Sequence, residues 1–296
     1  MSGNPTLLVA GAGGHLGRRV VELLLDGGAT NVVAATRSPE KLADLAARGV
    51  TVRHADFEAP ASLPDAFAGA DRMLLVSTDA LGTPGRRLAQ HRAAIDAAVQ
   101  AGVQHIVYTS MPNPGSDSPI SFAPDHRGTE EALKASGLGY TILRNNWYTD
   151  LLLAGVSAAL ASGQLVGAAG DGGAAYITRD DCARAAAAAL RSTETASRTL
   201  NITGPAVVGY AEIAAILSEI GGKPVTYVPV EPAALEAGLI AHGVPAIYAQ
   251  IAAESDVAKA RGLMGPATAD FQTLTGTAPT SVRDFLTSQS LVLQEK

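Results

Sequence analysis

Three glycines near the start of the chain have the spacing of a dinucleotide-binding loop. Gly11, Gly14 and Gly17 lie in the segment GAGGHLG, between an apolar run at residues 6–10 and a helical pattern at residues 15–25. Such a loop needs residues without a Cβ, because the backbone approaches a pyrophosphate and packs helix against strand. The pyrophosphate then accepts hydrogen bonds from amides at the positive helix end. The position between strand and helix favours dinucleotide binding over a bare structural turn.

The end of the second predicted strand, at residues 31–36, indicates which dinucleotide binds. A site for NAD usually carries Asp or Glu there, to bind the ribose hydroxyls. This chain instead has Thr36, Arg37 and Ser38, with Lys41 one turn into the next helix. A guanidinium suits a 2′-phosphate, so the sequence favours NADP over NAD. The alternative is that Arg37 is a solvated surface charge.

A catalytic dyad of ordinary alcohol dehydrogenases is missing. No tyrosine of the chain is followed four residues later by lysine. Reduction of a simple ketone produces a strongly basic alkoxide, and an acid of near-neutral pKa assists it greatly. A quinone, a cationic dye or another electron-poor conjugated acceptor yields a stabilised product that takes its proton from water. Hydride transfer to such an acceptor needs positioning rather than acid–base groups.

Polar and aromatic residues follow the later predicted strands. Asn145, Asn146, Trp147 and Tyr148 follow the sixth strand, where amide and indole groups would orient a carboxamide or a substrate carbonyl. Packing between two lobes is an equally open role for Trp147.

Two further side chains could have either a functional or a purely structural role. His126 is either a proton donor or a surface histidine without a catalytic role, and Ser110 either bonds a substrate oxygen or caps a turn. The catalytic candidates are Asn146, Tyr148 and His126. The substrate-contacting candidates are Ser110, Met111, Phe122 and Ile177. No HExxH or CxxC motif supports a metal site.

The elements that position these residues alternate between strand and helix. Six apolar runs lie at residues 6–10 and 31–36, before Asp56, Thr78 and Ser110, and at residues 140–145. Continuous rather than alternating runs predict strands buried on both faces, and therefore a parallel sheet. The sequence thus predicts an α/β protein with a doubly wound Rossmann fold.

The helix before the fifth strand shows one possible buried stripe. Leu88, Arg92, Ile95 and Val99 recur at helical spacing, although Arg92 would have to lie at the edge of that stripe.

The regular alternation of strand and helix patterns ends after about residue 146. Helical patterns at residues 147–161 and 183–190 and from Tyr210 onward surround a short strand at residues 198–203. We therefore predict an NAD(P)-binding domain at residues 1–146. A smaller, dependent, helix-rich substrate-binding lobe follows at residues 147–296 and covers the carboxyl edge of the sheet.

Composition excludes several other classes. The chain has 296 residues, a net charge of −6 and a pI near 5.5, which argues against nucleic-acid binding and against anionic membrane surfaces. One cysteine, Cys182, fits a reducing compartment. The longest apolar run is too short to span a bilayer, and no signal peptide is recognisable. We expect a soluble, cytoplasmic protein.

The motifs together resemble a known family. GAGGHLG, ATRSPEKL, MLLVST, QHRAAIDAAVQAGVQHIVYTS and LRNNWY resemble the NmrA-like, atypical short-chain dehydrogenases, with NADPH-dependent type 2 quinone oxidoreductases the most similar group. Triphenylmethane dye reductases are near relatives. The likeness covers nearly the whole chain. It implies a monomer or homodimer that uses NADPH without flavin or metal.

The resemblance also carries site residues and alternatives. Cofactor-binding candidates are Gly11, Ala12, Gly13, Gly14, His15, Leu16, Gly17, Arg37, Ser38, Asp56, Ser77, Thr78, Asn145 and Trp147. The isoflavone-reductase branch keeps an active-site lysine in the helix that here contains Glu130, which argues against isoflavone-type chemistry. Hydride transfer to a quinone or similar acceptor is the expected function. The alternatives are a non-catalytic NADP sensor that binds a protein partner, or a reductase of a triphenylmethane-dye-like or biosynthetic enone substrate.

Overall fold

A computed structural model of the chain describes residues 4–289, and its main element is a seven-stranded sheet. Within these residues, two further sheets have two strands each. In chain order, the strands of all three sheets are β1 (Leu7–Ala10), β2 (Val32–Thr36), β3 (Thr51–His54), β4 (Arg72–Leu75), β5 (His105–Ser110), β6 (Gly139–Asn145), β7 (Gln164–Gly167), β8 (Gly173–Ala174), β9 (Arg198–Ile202), β10 (Val208–Gly209) and β11 (Thr226–Pro229). The two small sheets pair β10 with β8 and β11 with β7. The main sheet has the order β3-β2-β1-β4-β5-β6-β9. The pairs from β3 to β6 are parallel.

Helices follow most of these strands. They are α1 (His15–Asp26), α2 (Ala43–Ala47), α3 (Leu63–Phe67), α4 (Arg86–Gln100), α5 (Ala123–Ala135), α6 (Leu153–Ser162), α7 (Arg179–Arg191), α8 (Tyr210–Gly221), α9 (Pro232–Ala241), α10 (Ala246–Ala260), α11 (Asp270–Thr275) and α12 (Val282–Ser288). Within residues 4–289, no helix has both the length and the apolar character to cross a membrane.

The sheet order fixes where a ligand binds. All residues of β1, β2, β4 and β5 are buried, as the continuous apolar runs predicted. The chain runs outward from β1 to β3 in one direction and from β4 to β6 in the other, so the order reverses between β1 and β4. Ligands of doubly wound folds bind at this reversal, beyond the carboxyl ends of the strands. The predicted Rossmann fold is therefore confirmed.

The chain divides into two compact units. The first comprises the chain up to Ser110 together with Pro124–Arg144 and Asp180–Leu200. The second comprises Met111–Ala123, Asn145–Arg179 and the chain from Asn201 onward. A single boundary at residue 146 therefore differs from the division that the contacts define. The chain leaves the first unit after β5 and returns to it, and β9 adds an edge strand to the main sheet.

Two sequence-based details differ from the structure. The segment predicted as one helix from residue 147 begins as a 3-10 helix, Thr149–Leu152, and becomes α-helical only in α6. The buried face of α4 is also different, because Arg92 and Val99 are exposed, Val99 by 44%. The buried side of α4 carries polar residues, among them Arg87 and His91.

Candidate active site

The glycine loop has the geometry that a bound pyrophosphate requires. Gly11 adopts a φ of +90°, in the region that favours glycine, directly after β1. A Cβ on Gly17 would lie 2.3 Å from the Gly11 carbonyl oxygen, so no larger residue fits. Gly14 caps α1 without a side-chain hydrogen bond, and the first turn carries no acidic residue. The amides of this turn therefore fit an anion, as the phosphates of a dinucleotide demand.

The loop after β2 offers positive charge beside a compact turn. Arg37 is exposed, and the Ser38 amide donates a hydrogen bond of 3.2 Å to the buried Thr36 side chain. The nearby Glu58 carboxyl is engaged by Arg86 at 2.9 Å. The Arg86 hydrogen bond, with a smaller effect of the Arg37 charge, lowers the pKa of Glu58. Arg37 itself makes no ion pair within 4.0 Å in the described part of the chain.

The remaining cofactor candidates of the first unit lie beyond β3 and β4. Asp56 is half-buried, and its Oδ1 accepts the Glu58 amide at 3.0 Å. Ser77 and Thr78 follow β4, next to the strand that carries the glycine loop. Their amides donate to Thr109 Oγ1 at 2.8 Å and to His91 Nε2 at 3.0 Å. Buried side chains of the first unit therefore fix the position of this segment.

Ser110 lies at the carboxyl end of β5 and bonds to a buried carboxylate. Its hydroxyl donates to Glu130 Oε1 at 2.8 Å, and Glu130 is only 2% exposed. Arg144, which is paired with Ser110 in the β5–β6 register, binds both oxygens of the same carboxylate. The Ser110 hydrogen is therefore directed to Glu130 in this structure, and not toward a ligand. In this arrangement Ser110 offers only acceptor lone pairs to a ligand.

The position of His126 argues against the predicted proton donor and equally against a surface histidine. The ring is 3% exposed, and its Nδ1 lies 2.8 Å from the Tyr108 hydroxyl. Burial, with the charge of Arg87, lowers the pKa of His126 well below its usual value. Burial likewise raises the pKa of Tyr108 far above its usual value. Both groups are neutral at physiological pH, and neither is a good acid.

The two asparagines after β6 have different environments. Asn145 is 4% exposed, and neither its amide oxygen nor its amide nitrogen has a hydrogen-bond partner among the described residues. A buried amide without partners is costly unless a ligand supplies them. Asn146 donates to the Met264 carbonyl at 3.1 Å and accepts the Trp147 amide at 2.7 Å. These bonds argue for a structural role of Asn146 rather than the predicted catalytic one.

The aromatic residues of LRNNWY lie in the second unit. The backbone of Trp147 accepts from the Ile177 amide at 3.1 Å, and Tyr148 forms an isolated parallel bridge with Ile177. The Trp147 ring lies 5.6 Å from the Lys259 ammonium, and the Tyr148 ring lies 5.2 Å from the guanidinium carbon of Arg179. Both rings are half-buried, which leaves part of each surface exposed to solvent or to a ligand.

The three apolar substrate candidates also belong to the second unit. Met111 lies in its core, and Phe122 packs partly exposed against that core. Ile177 has no exposed surface (0%), so it lies in the interior and not on a wall that a ligand contacts. Phe122 is therefore the best placed of the three.

Sequence reasoning missed the residues that act from the interior. His91 holds Thr78 and Glu130 holds Ser110, while Arg144 holds Glu130. His91 and Arg144 lie within two of the segments that carry the family resemblance, but the sequence assigned no role to either. The signal for Glu130 was its place in the helix after β5, where a related branch keeps a lysine.

Comparisons with known proteins agree with this fold and with binding of NAD(P)H. Residues 11–193 match a family of NAD(P)H-binding proteins. Quinone oxidoreductase 2 of Escherichia coli is 39% identical over 257 residues, which cover 86% of this chain and 88% of that protein. The chain therefore belongs to the NAD(P)H-binding family.

Solved structures give the same result. An NADPH-dependent quinone oxidoreductase of Escherichia coli, complexed with NADPH, superposes with a TM-score of 0.91 at 36% identity, covering 96% of this chain and 99% of that one. The Citrobacter sp. triphenylmethane reductase complexed with NADP(H) has a TM-score of 0.90 at 35% identity, covering 96% and 100%. The predicted resemblance to quinone oxidoreductases is thus confirmed.

Proposed function

We propose that this protein is an NADPH-dependent oxidoreductase that transfers a hydride to a quinone. The observation that carries the proposal is its 39% identity, over most of both chains, to quinone oxidoreductase 2. The glycine loop fits the cofactor independently, through the tight approach of Gly17 to Gly11 and the uncapped start of α1.

The first unit supplies most of the proposed cofactor contacts. The loop amides from Gly11 to Gly17 bind the pyrophosphate, and Arg37 binds the 2′-phosphate. When bound, NADPH supplies the hydride, so the proposal needs neither flavin nor metal. The Asn145 amide, which has no hydrogen-bond partner within residues 4–289, matches the carboxamide of the nicotinamide, because each amide offers both a donor and an acceptor.

The end of β5 supports an electron-poor acceptor. The Ser110 hydrogen is directed to Glu130, and His126 and Tyr108 are buried neutral groups that bind each other. We infer that no side chain of this region protonates the product during hydride transfer. A quinone tolerates this, since its reduced form is a stabilised anion that takes a proton from water, whereas a simple ketone does not.

The test is consumption of NADPH with a panel of quinones. We expect turnover with NADPH, weaker turnover with NADH, and little activity with unconjugated ketones. Absence of turnover with every quinone, despite tight NADPH binding, would instead support the non-catalytic NADP sensor. Gel filtration tests the expected monomer or homodimer, and cell fractionation tests the expected cytoplasmic location.

One observation favours a second substrate class. The match to a triphenylmethane reductase is as close in fold as the match to the quinone oxidoreductase. A cationic dye is also electron-poor and needs no protein acid. Decolourisation of such a dye by NADPH is the corresponding measurement, and a higher kcat/KM for dyes than for quinones would reverse the order of the two proposals.

A further inference from the structure

The segment after β4 is fixed from inside the first unit by two buried side chains. Thr109 Oγ1 accepts the Ser77 amide at 2.8 Å, and His91 Nε2 accepts the Thr78 amide at 3.0 Å. His91 has no exposed surface (0%), and Thr109 is also buried. Two consecutive N–H groups of this segment are therefore turned toward the interior.

The tautomer of His91 follows from its other partner. His91 Nδ1 lies 2.9 Å from Thr129 Oγ1, and the Thr129 hydroxyl donates its only hydrogen to the Asp125 carbonyl at 2.7 Å. The proton must therefore reside on His91 Nδ1, which donates to Thr129. Nε2 is then the acceptor that the Thr78 amide requires. Burial, with the charge of Arg87, lowers the pKa of His91 to about 3, so the ring stays neutral.

The inward direction of these two amides determines where the neighbouring carbonyl group points. A trans peptide holds its N–H and C=O in opposite directions, so the inward Thr78 amide turns the Ser77 carbonyl away from His91. The Thr78 hydroxyl oxygen is buried and has no hydrogen-bond partner in the described part of the chain. A carbonyl and a hydroxyl oxygen are suitable acceptors for the hydroxyl donors of a ribose. They lie beyond β4, next to β1 and its glycine loop.

We propose that His91 is a positioning residue for the dinucleotide, which acts through the Thr78 amide to fix the Ser77 carbonyl and the Thr78 hydroxyl for the ribose hydroxyls. His91 does not itself touch the cofactor. Thr129 is a second positioning residue, because its hydroxyl oxygen accepts the His91 Nδ1 proton. The proposal rests on the proposed function, since it requires NADPH at this edge of the sheet.

The test separates NADPH binding, measured by fluorescence titration, from turnover of a quinone. His91→Leu removes the acceptor, and we expect it to raise both the NADPH dissociation constant and the KM for NADPH about tenfold. The KM for the quinone and the kcat at saturating NADPH should stay within about twofold of wild type, because one hydrogen bond to the cofactor segment does not touch the acceptor. His91→Gln keeps a side-chain oxygen as acceptor and should restore most of the affinity.

His105→Leu is the matched control. His105 is also a buried histidine that bonds to a threonine, with Nε2 2.9 Å from Thr141 Oγ1. It is the first residue of β5 and therefore lies at the amino ends of the strands, away from the carboxyl ends where the cofactor is proposed to bind. This variant should lose stability and keep its NADPH affinity. Equal loss of affinity in both leucine variants, or unchanged affinity in His91→Leu, would overturn the proposal.

A second variant covers the case in which His91→Leu does not fold. Thr129→Val removes the main acceptor of the His91 Nδ1 proton and leaves this N–H with the more distant Tyr108 hydroxyl, at 3.4 Å. The ring that accepts the Thr78 amide is then held less firmly. We expect NADPH affinity to fall several-fold and Thr129→Ser to restore it. Wild-type affinity in Thr129→Val contradicts the proposal. Failure of the wild-type protein to bind NADPH would contradict the proposed function instead.

Discussion

Arg144 binds the Glu130 carboxylate through two parallel hydrogen bonds, Nε to Oε1 at 2.9 Å and Nη2 to Oε2 at 2.6 Å. The Ser110 hydroxyl donates to the same Oε1 at 2.8 Å. Both oxygens of the carboxyl group accept from the guanidinium, so the group serves as a hydrogen-bond acceptor here. The direction of the Ser110 hydrogen is thereby fixed, although Ser110 stands at the edge of the sheet where ligands bind.

Ser110→Ala is expected to leave quinone reduction nearly intact. If Ser110 donated a proton to the product, its loss would lower kcat about 100-fold or more, in the range typical of general acids. Because its hydrogen is committed to Glu130, we expect kcat/KM to stay within about threefold of wild type, a loss of well under 1.4 kcal/mol in transition-state stabilisation. We also expect hydride transfer between about pH 6 and 8 to show no ionisation of a catalytic acid. Stopped-flow measurement of NADPH oxidation checks both. Ser110→Thr, which keeps the hydroxyl, is the control.

Features encoded in neighbouring residues could be predicted from the sequence. The apolar runs located β1, β2, β5 and β6 closely, because strands buried on both faces need uninterrupted apolar residues. The glycine loop could also be predicted, since the spacing of its glycines is required by the turn itself. The helix beginning at Tyr210 was also predicted correctly.

Features that depend on distant partners could not be predicted. The buried face of α4 was misassigned because His91 is polar, and only the folded unit supplies its partners Thr78 and Thr129. Asn146 seemed chemically suited to catalysis, but its amide nitrogen donates to the carbonyl of Met264, far away along the chain. Edge strand β9 could not be assigned to the main sheet, since pairing partners leave no local signal.

Arg37→Ala tests the choice of cofactor. Loss of a charged hydrogen bond to the 2′-phosphate should weaken NADPH binding by about 1.5–3 kcal/mol and leave NADH binding nearly unchanged. Isothermal titration with both cofactors measures the difference. Arg48→Ala is the matched control, because Arg48 is another exposed arginine of the same unit and bonds to Asp26 at 2.7 Å. Equal losses for NADPH and NADH in Arg37→Ala would exclude the phosphate contact.

Buried neutral histidines should make the protein sensitive to acid. Burial lowers the pKa of His91 to about 3 and that of His105 to about 4, whereas an unfolded histidine titrates near 6.5. As the pH falls from about 6.5 toward 4, the unfolded chain binds protons that the folded chain excludes, so the free energy of unfolding decreases. His105 alone should remove about 2 kcal/mol between pH 7.5 and 5.

Urea unfolding at a series of pH values measures this effect. In His105→Leu, the dependence of the unfolding free energy on pH should weaken by up to about 1.4 kcal/mol per pH unit between about pH 6 and 4.5, since the unfolded chain takes up one proton fewer there. An unchanged slope would show that His105 titrates normally in the folded protein.

Lys259 should be the most damaging single residue to neutralise in the second unit. It is 2% exposed, and its ammonium donates to Asp256 Oδ1 at 2.8 Å and to the Tyr210 hydroxyl at 3.2 Å. Asp256 also accepts the Ala168 amide at 2.7 Å. Lys259→Met leaves this carboxylate buried without its cation, and the expected loss is about 3–5 kcal/mol of unfolding free energy.

The double variant distinguishes a lost charge partner from lost packing. Asp256→Asn removes the charge, and its side-chain oxygen still accepts the Ala168 amide. If the loss in Lys259→Met arises from the uncompensated carboxylate, combining it with Asp256→Asn should recover about 1–3 kcal/mol relative to the sum of the single losses. Strictly additive losses would show that Lys259 stabilises the unit through its contacts with the Trp147, Tyr176 and Tyr210 rings instead. In that case Lys259→Met should also change the fluorescence of Trp147, the single tryptophan of the chain, in the folded state.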